Sequence, residues 1–260
     1  VTPILNPRKA VAAGAESPYA PVADLSPDLL VPLLYASTSA DGQILYQDSG
    51  ATTPVTSGGD PIGAVVWDGE VVATQTTDAD RLIWQPGRGA VGSGGSEHLL
   101  VDVTAPAGTF GYIHQVAGRN RDTSRNENLS WLGVEGVEPR GLVQARTDGT
   151  TIVRVEDDTG ERVDQSPAND LSGAGLHVVT AASWIDTGTL ESWVAVDSAT
   201  AITANIATSG TGYDFDVASV GSNYAGAGVG NVDVAFLALY DDGENADRQV
   251  IHDAALEVIA

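Results

Sequence analysis

Apolar residues in this chain come in short alternating runs. "EHLLVDVT" (97–104), "TFGYIHQVAG" (109–118), "NLSWLGVE" (128–135), "GLVQAR" (141–146) and "TTIVRVED" (150–157) are strand-length and rich in Val, Ile and aromatics. "GLHVVTAASWI" (175–185), "LESWVAVDS" (190–198) and "YDFDVASVG" (213–221) continue the series. Gly, Asn, Asp and Pro clusters separate these runs, and strands recurring about every ten residues favour an antiparallel sandwich over a parallel α/β sheet. "VRVEDDTGERVD" predicts a hairpin, because Val153 and Val155 lead into Asp157-Asp158-Thr159-Gly160, where Gly supplies a positive φ. On the run 190–198, Val194 and Val196 share the inward face. Trp193 is left on the other face, outward or at an interface.

Both ends depart from this pattern. In "DDGENADRQVIHDAALEVIA" the residues Val250, Ile251, Ala254, Ala255 and Val258 recur with helical spacing, and Arg248, Gln249 and Asp253 fall on the polar side. One short helix packed on the outside of the sandwich is expected, capped by Asp242 or Asn245. Residues 1–24 read as an arm: Pro3, Pro7, Pro18 and Pro21 oppose a regular helix. Arg8 and Lys9 form the one adjacent basic pair there. Two readings stand for this segment: a loose terminus, or an extended arm that anchors on a neighbouring subunit through those cations. The expected division is an arm at 1–24 and a β-sandwich at 25–260. "GRGAVGSGGSE" (87–97) lacks the Lys-Ser/Thr of a phosphate loop and reads as a flexible connector.

Charge narrows the partners. The chain has 260 residues and a formal charge of −23, with 12 basic residues against 35 acidic ones. Such a field repels phosphate backbones, which argues against nucleic-acid binding. No stretch is apolar enough to span a bilayer, and the first residues hold no continuous apolar core of signal-peptide type. The chain has no Cys, so neither disulfides nor thiolate chemistry enter.

The stretch "ILYQDSGATTPVTSGGDPIGAVVWDGEVVATQTTDADRLIWQ" (Ile44–Gln85) resembles a segment of tailed-bacteriophage virion proteins. There it introduces a concanavalin A-like, laminin G-like jelly roll. Downstream, "LHVVTAASW" with "TLESWVAVDS" is similar to the family's paired central strands. "VGNVDVAFLALYDDGENADRQVIHDAAL" is similar to its closing strand and helix. The resemblance spans about residues 25–260. It implies an all-β fold: a concanavalin A-like antiparallel β-sandwich with an extended N-terminal arm and one short C-terminal helix. Two departures stand out. Asp197-Ser198 replaces the usual Asp-Gly turn, and "WDGEVVATQ" replaces a Lys-Ser-Gly-Asn-Gly-type loop, removing a cation and polar contacts.

Candidate chemistry is sparse. Glucanases of this architecture set two carboxylates on one strand face. Glu135 and Glu138 have the wrong parity, and Glu156 and Asp158 run into a hairpin turn. Asp214 and Asp216 are the best same-face pair, without a third carboxylate nearby in sequence; if a metal binds, these two would help hold Ca²⁺. Otherwise no cofactor is expected. His98, His114, His177 and His252 are scattered, without zinc-site spacing. Trp193 is a candidate for stacking on a sugar. "GRNRDTSRNENLSW" (118–131) holds Arg119, Arg121 and Arg125, a cationic island suited to an acidic neighbour or another copy of the chain.

These features predict a non-enzymatic virion structural protein (capsid decoration, spike or fibre) that displays a lectin-like jelly roll. Its partners would be other virion proteins, copies of itself in a homo-oligomer, with a trimer favoured, and a host-surface glycan. The alternative is an extracellular carbohydrate-binding module not tied to a virion.

Overall fold

The alternating runs become two stacked antiparallel sheets in the computed structural model, which describes residues 16–105, 108, 111–134, 139–221, 231–244 and 247–260. The first half holds a helical turn α1 (Ala20–Ala23), β1 (Leu29–Pro32), β2 (Ser37–Thr38), β3 (Gly42–Gln43), β4 (Leu45–Tyr46) and β5 (Ala64–Trp67). Then come β6 (Glu70–Thr74), β7 (Ile83–Gln85), β8 (Gly89–Val91), β9 (Leu99–Asp102), β10 (Tyr112–Asn120) and β11 (Glu127–Gly133). The rest is β12 (Pro139–Ala145), β13 (Thr151–Glu156), β14 (Arg162–Gln165), β15 (His177–Asp186), β16 (Thr189–Val196), β17 (Ile202–Ala207), β18 (Val217–Val220), β19 (Val232–Tyr240) and the helix α2 (Arg248–Ile259).

One sheet runs β17-β16-β15-β10-β19-β8-β7, with β1 sharing the edge of β19 that β8 also uses. The other runs β14-β13-β12-β11-β18-β9-β6-β5-β4. This is the expected concanavalin A-like antiparallel sandwich, closed by one short C-terminal helix. Inward residues such as Val116, Val179, Val194, Val196, Val143, Val153 and Val155 fill the space between the sheets, each at most 2% exposed. Two-residue turns join β5 to β6 and β15 to β16. Asp68-Gly69 (φ 51° and 83°) and Thr187-Gly188 (φ 46° and 77°) each put both central residues at positive φ, which matches the twist of paired strands. The 151–165 hairpin forms as its sequence predicts.

Several expectations need correction. Gly87–Glu97 is not merely a connector, because residues 89–91 form β8 between β7 and β19. At Gly89 (φ 82°) a Cβ would lie 2.3 Å from the carbonyl oxygen of Val234, so only glycine lets the strands meet there. The C-terminal end of the arm belongs to the core: Tyr19 and Val22 are fully buried, and the Tyr19 hydroxyl accepts the N–H groups of Leu34 (2.8 Å) and Tyr35 (3.1 Å). Arg8 and Lys9 lie outside the described residues.

Helix α2 sits where expected but is rotated from the apolar-stripe reading. Val250 is 52% exposed, while His252 is fully buried. The reason is the sheet face beneath, which presents Gln115 and Thr180. Thr180 Oγ1 lies 2.8 Å from His252 Nδ1, and His252 Nε2 lies 2.6 Å from the carbonyl oxygen of Asp197. Gln115 donates to the carbonyl of Ile251 at 3.0 Å. Arg248 does not face away either; its guanidinium lies 4.8 Å from the Trp184 ring centre and 5.7 Å from that of Trp193. Asp247 precedes the helix, without a side-chain capping bond. Among the described residues no helix is long and apolar enough to cross a membrane.

Candidate functional site

The ends of β10 mark two different environments. At its start a cleft of about 490 Å³ opens between the sheets, lined by Asp28, Leu29, residues 102–105, Tyr112, Phe215 and residues 239–241. Backbone pairing builds it: Val103 and Ala105 donate to the carbonyls of Asp216 and Phe215 at 3.0 and 3.1 Å, and Asp28 donates to that of Leu239 at 2.9 Å. Tyr112 meets Tyr213 and Phe215 edge-on, with ring centres 5.0 and 5.1 Å apart. The Tyr240 hydroxyl is buried without a hydrogen-bond partner among the described residues, and that burial pushes its ionisation above the usual range. Asp28, Asp102 and Asp241 stand exposed around this apolar floor. Partial desolvation against the apolar floor raises the Asp28 carboxyl above the ordinary carboxylate range. The N–H of Asp241 donates to it and pulls the other way, while the charge of Asp241 adds to the rise.

At the other end of β10, roughly 25 Å away at 3.4 Å per residue, three arginines meet one carboxylate. Asp233 on β19 is fully buried. It accepts Arg88 Nε at 2.9 Å and Nη2 at 2.7 Å and Arg119 Nε at 2.6 Å, and Arg121 Nε forms an ion pair with it at 2.9 Å. Arg119 also donates to the carbonyl of Ala174, and Arg121 to that of Gly92. Burial pulls Arg121 below the usual guanidinium range; Asp233 opposes this, while Arg88 and Arg119 add to it. Beside them Glu127 is fully buried, and neither of its oxygens has a hydrogen-bond partner among the described residues. Burial pushes its carboxyl up to about 7, opposed by the Asn231 backbone, which lies near without completing a hydrogen bond, and by Arg125 and Arg121, with Asp122 reinforcing the rise.

The cationic island read from the sequence is therefore partly spent inside the protein. Arg119 and Arg121 brace the ends of β8, β10 and β19, whereas Arg125 stays exposed. Arg88, which completes the cluster, lay in the segment read as a connector. Trp193 does occupy the outer sheet face, as its parity predicts, but α2 covers it and leaves it 7% exposed, so it offers no ring to a sugar. Asp214 and Asp216 are exposed in the segment before β18, and Asp214 lies 3.8 Å from Arg140. Among the described residues no group of three or more His, Cys, Asp or Glu is placed to hold a metal ion. The cleft itself went unread, because its lining comes from five separated segments. The turn in doubt at Asp197-Ser198 is made by Asp197 at φ 49°, whose carboxylate accepts the Val178 N–H (2.9 Å) and contacts His177 Nδ1 (2.8 Å).

No family model matches the chain, and no curated protein matches it in sequence. Solved structures match it in shape. Trypanosoma rangeli sialidase is similar at a TM-score of 0.51 and 10% identity, over 92% of this chain but only 38% of its own. The CBM40 of Ruminococcus gnavus IT-sialidase, bound to α2,3-sialyllactose, gives 0.41 and 12% identity over 62% of this chain and 99% of its own. A galectin of Caenorhabditis elegans gives 0.36 and 12% over 54% and 88%. At such identities the likeness to the sialidase shows the fold alone, an antiparallel jelly-roll sandwich.

Proposed function

We propose that this protein is a non-catalytic carbohydrate-binding module whose sugar site is the cleft at the β9 and β19 ends. The observation that carries this reading is an apolar, aromatic floor with a partnerless phenol (Tyr240) and acceptor carboxylates at its rim. A sugar ring offers the matching surfaces: a C–H face for the floor and hydroxyls for the carboxylates. Three acids at the mouth disfavour an anionic sugar, so neutral or amino sugars are the ligand class. A screen of neutral, amino and sialylated oligosaccharides, followed by calorimetry, tests this. Neutral or amino glycans should bind, and Asp102→Asn and Tyr240→Phe should each weaken binding by roughly tenfold. Tyr240→Phe should leave the free protein as stable or up to about 1 kcal/mol more so, because it removes an unpartnered buried hydroxyl. Binding of no glycan, or indifference to both variants, would refute the site. Sugar release lost in Asp28→Asn would replace binding with hydrolysis.

A second reading, display on a phage particle, is favoured by the resemblance of Ile44–Gln85. The module would then be anchored by the arm carrying Arg8 and Lys9. Because Tyr19 and Val22 are core residues, the truncation that tests anchoring is removal of residues 1–15. It should abolish incorporation into particles while leaving the sandwich folded.

A further inference from the structure

We infer that β17 is a self-association edge, at which two copies of this chain join antiparallel through Ile202–Ala207. Among the described residues strand β17 ends its sheet and is paired on one side only, to β16. Edge strands normally carry charges, prolines or bulges that discourage a second strand. The neighbouring edge of the other sheet, β14, is protected in this way: Arg162 and Asp164 lie on it, and Asp164 also pairs with Arg154 at 2.7 Å. Strand β17 has no such protection, and no charged residue lies between Asp197 and Asp214.

The side chains make the same case. Ile202, Ala204 and Ile206 register against Val194, Ser192 and Leu190, so they share the face that looks toward the other sheet. Val194 and Leu190 are buried there, and Ser192 accepts a bond from Gln165 on β14 at 2.8 Å. Ile202 and Ile206 nevertheless remain 38% exposed each, because the sandwich stops at this edge. A strand laid alongside β17 would cover them. Antiparallel pairing of β17 with itself about Ala204 sets Ile202 opposite Ile206 of the partner subunit and repeats the contact by symmetry. The occupant is a second copy because β17 is its own complement: the exposed isoleucines lie symmetrically about Ala204, so the same strand reversed covers both. Two molecules carrying −23 each repel over most of their surfaces, and an uncharged edge is where approach is least opposed. A cationic partner would find nothing here to pair with. The closed assembly is then a two-fold dimer with one sheet continuous across both copies.

Light scattering of the full chain after size exclusion tests this. The expected result is a concentration-dependent dimer that strengthens as salt screens the mutual repulsion. Ile202→Lys combined with Ile206→Lys should abolish the dimer without changing the far-ultraviolet circular dichroism. The chain has no native cysteine, so Ala204→Cys should give a single disulfide-linked dimer under mild oxidation. That variant decides the matter if the lysine pair fails to fold. A monomer under all conditions, a trimer, or no crosslink through position 204 would overturn the inference. So would a dimer dissolved by salt, which would instead mark a contact between the arginine rim and an acidic surface.

Discussion

Asp233 shows what one residue can organise. Its carboxylate is fully buried, and three guanidiniums from two separate segments converge on it. Removing one member of a buried ion cluster leaves uncompensated charge, so Asp233→Asn should lower the unfolding free energy by about 3 kcal/mol in urea titrations. Near the same cluster Glu127 makes the opposite case. Its carboxyl is raised from the usual 4.5 to about 7, so between those values the folded protein keeps a proton that the unfolded chain has released. The stability linked to that proton is complete below the lower value and is lost as pH rises through the upper one. Glu127→Gln should therefore flatten the decline of stability from acid to neutral pH. At mildly alkaline pH the variant should exceed the wild type by about 1–3 kcal/mol, as read by urea titrations at both ends of the range.

At the scale of elements, α2 shows why an apolar stripe is an incomplete guide. Hydrophobic spacing placed Val250 inward, whereas the polar sheet face draws in His252 and leaves Val250 in solvent. Two substitutions one position apart should separate these readings. Val250→Glu is expected to change stability by less than about 0.5 kcal/mol. Ile251→Ala, at a residue 4% exposed, should cost about 2–4 kcal/mol, measured by thermal or urea unfolding. Strands obey their sequences more closely, because period-two alternation and turn residues are local. The 151–165 hairpin is where the sequence puts it. Strands β8 and β17 were missed for the same reason: Gly, Ala, Thr and Asn hide the alternation there.

For the whole molecule, a charge of −23 spread over one rigid sandwich means self-repulsion within the folded state. Raising salt from low to moderate concentration should increase the thermal midpoint by a few degrees, roughly 2–5 °C. A midpoint that falls instead would assign more weight to the arginine–carboxylate cluster. The sequence by itself determined the two antiparallel layers, the outer helix, the acidic surface and the outer placement of Trp193. Each of these follows from residues adjacent in the chain, where alternation, turn chemistry and charge are legible. Only the tertiary structure decided that α2 covers Trp193, that Arg88, Arg119 and Arg121 share Asp233, and that Asp28, Asp102, Tyr112, Phe215 and Tyr240 surround one cleft. Those partners lie far apart in the chain, 145 positions for Arg88 and Asp233. Strand pairing brings them together, and no local pattern records which distant strand will arrive alongside.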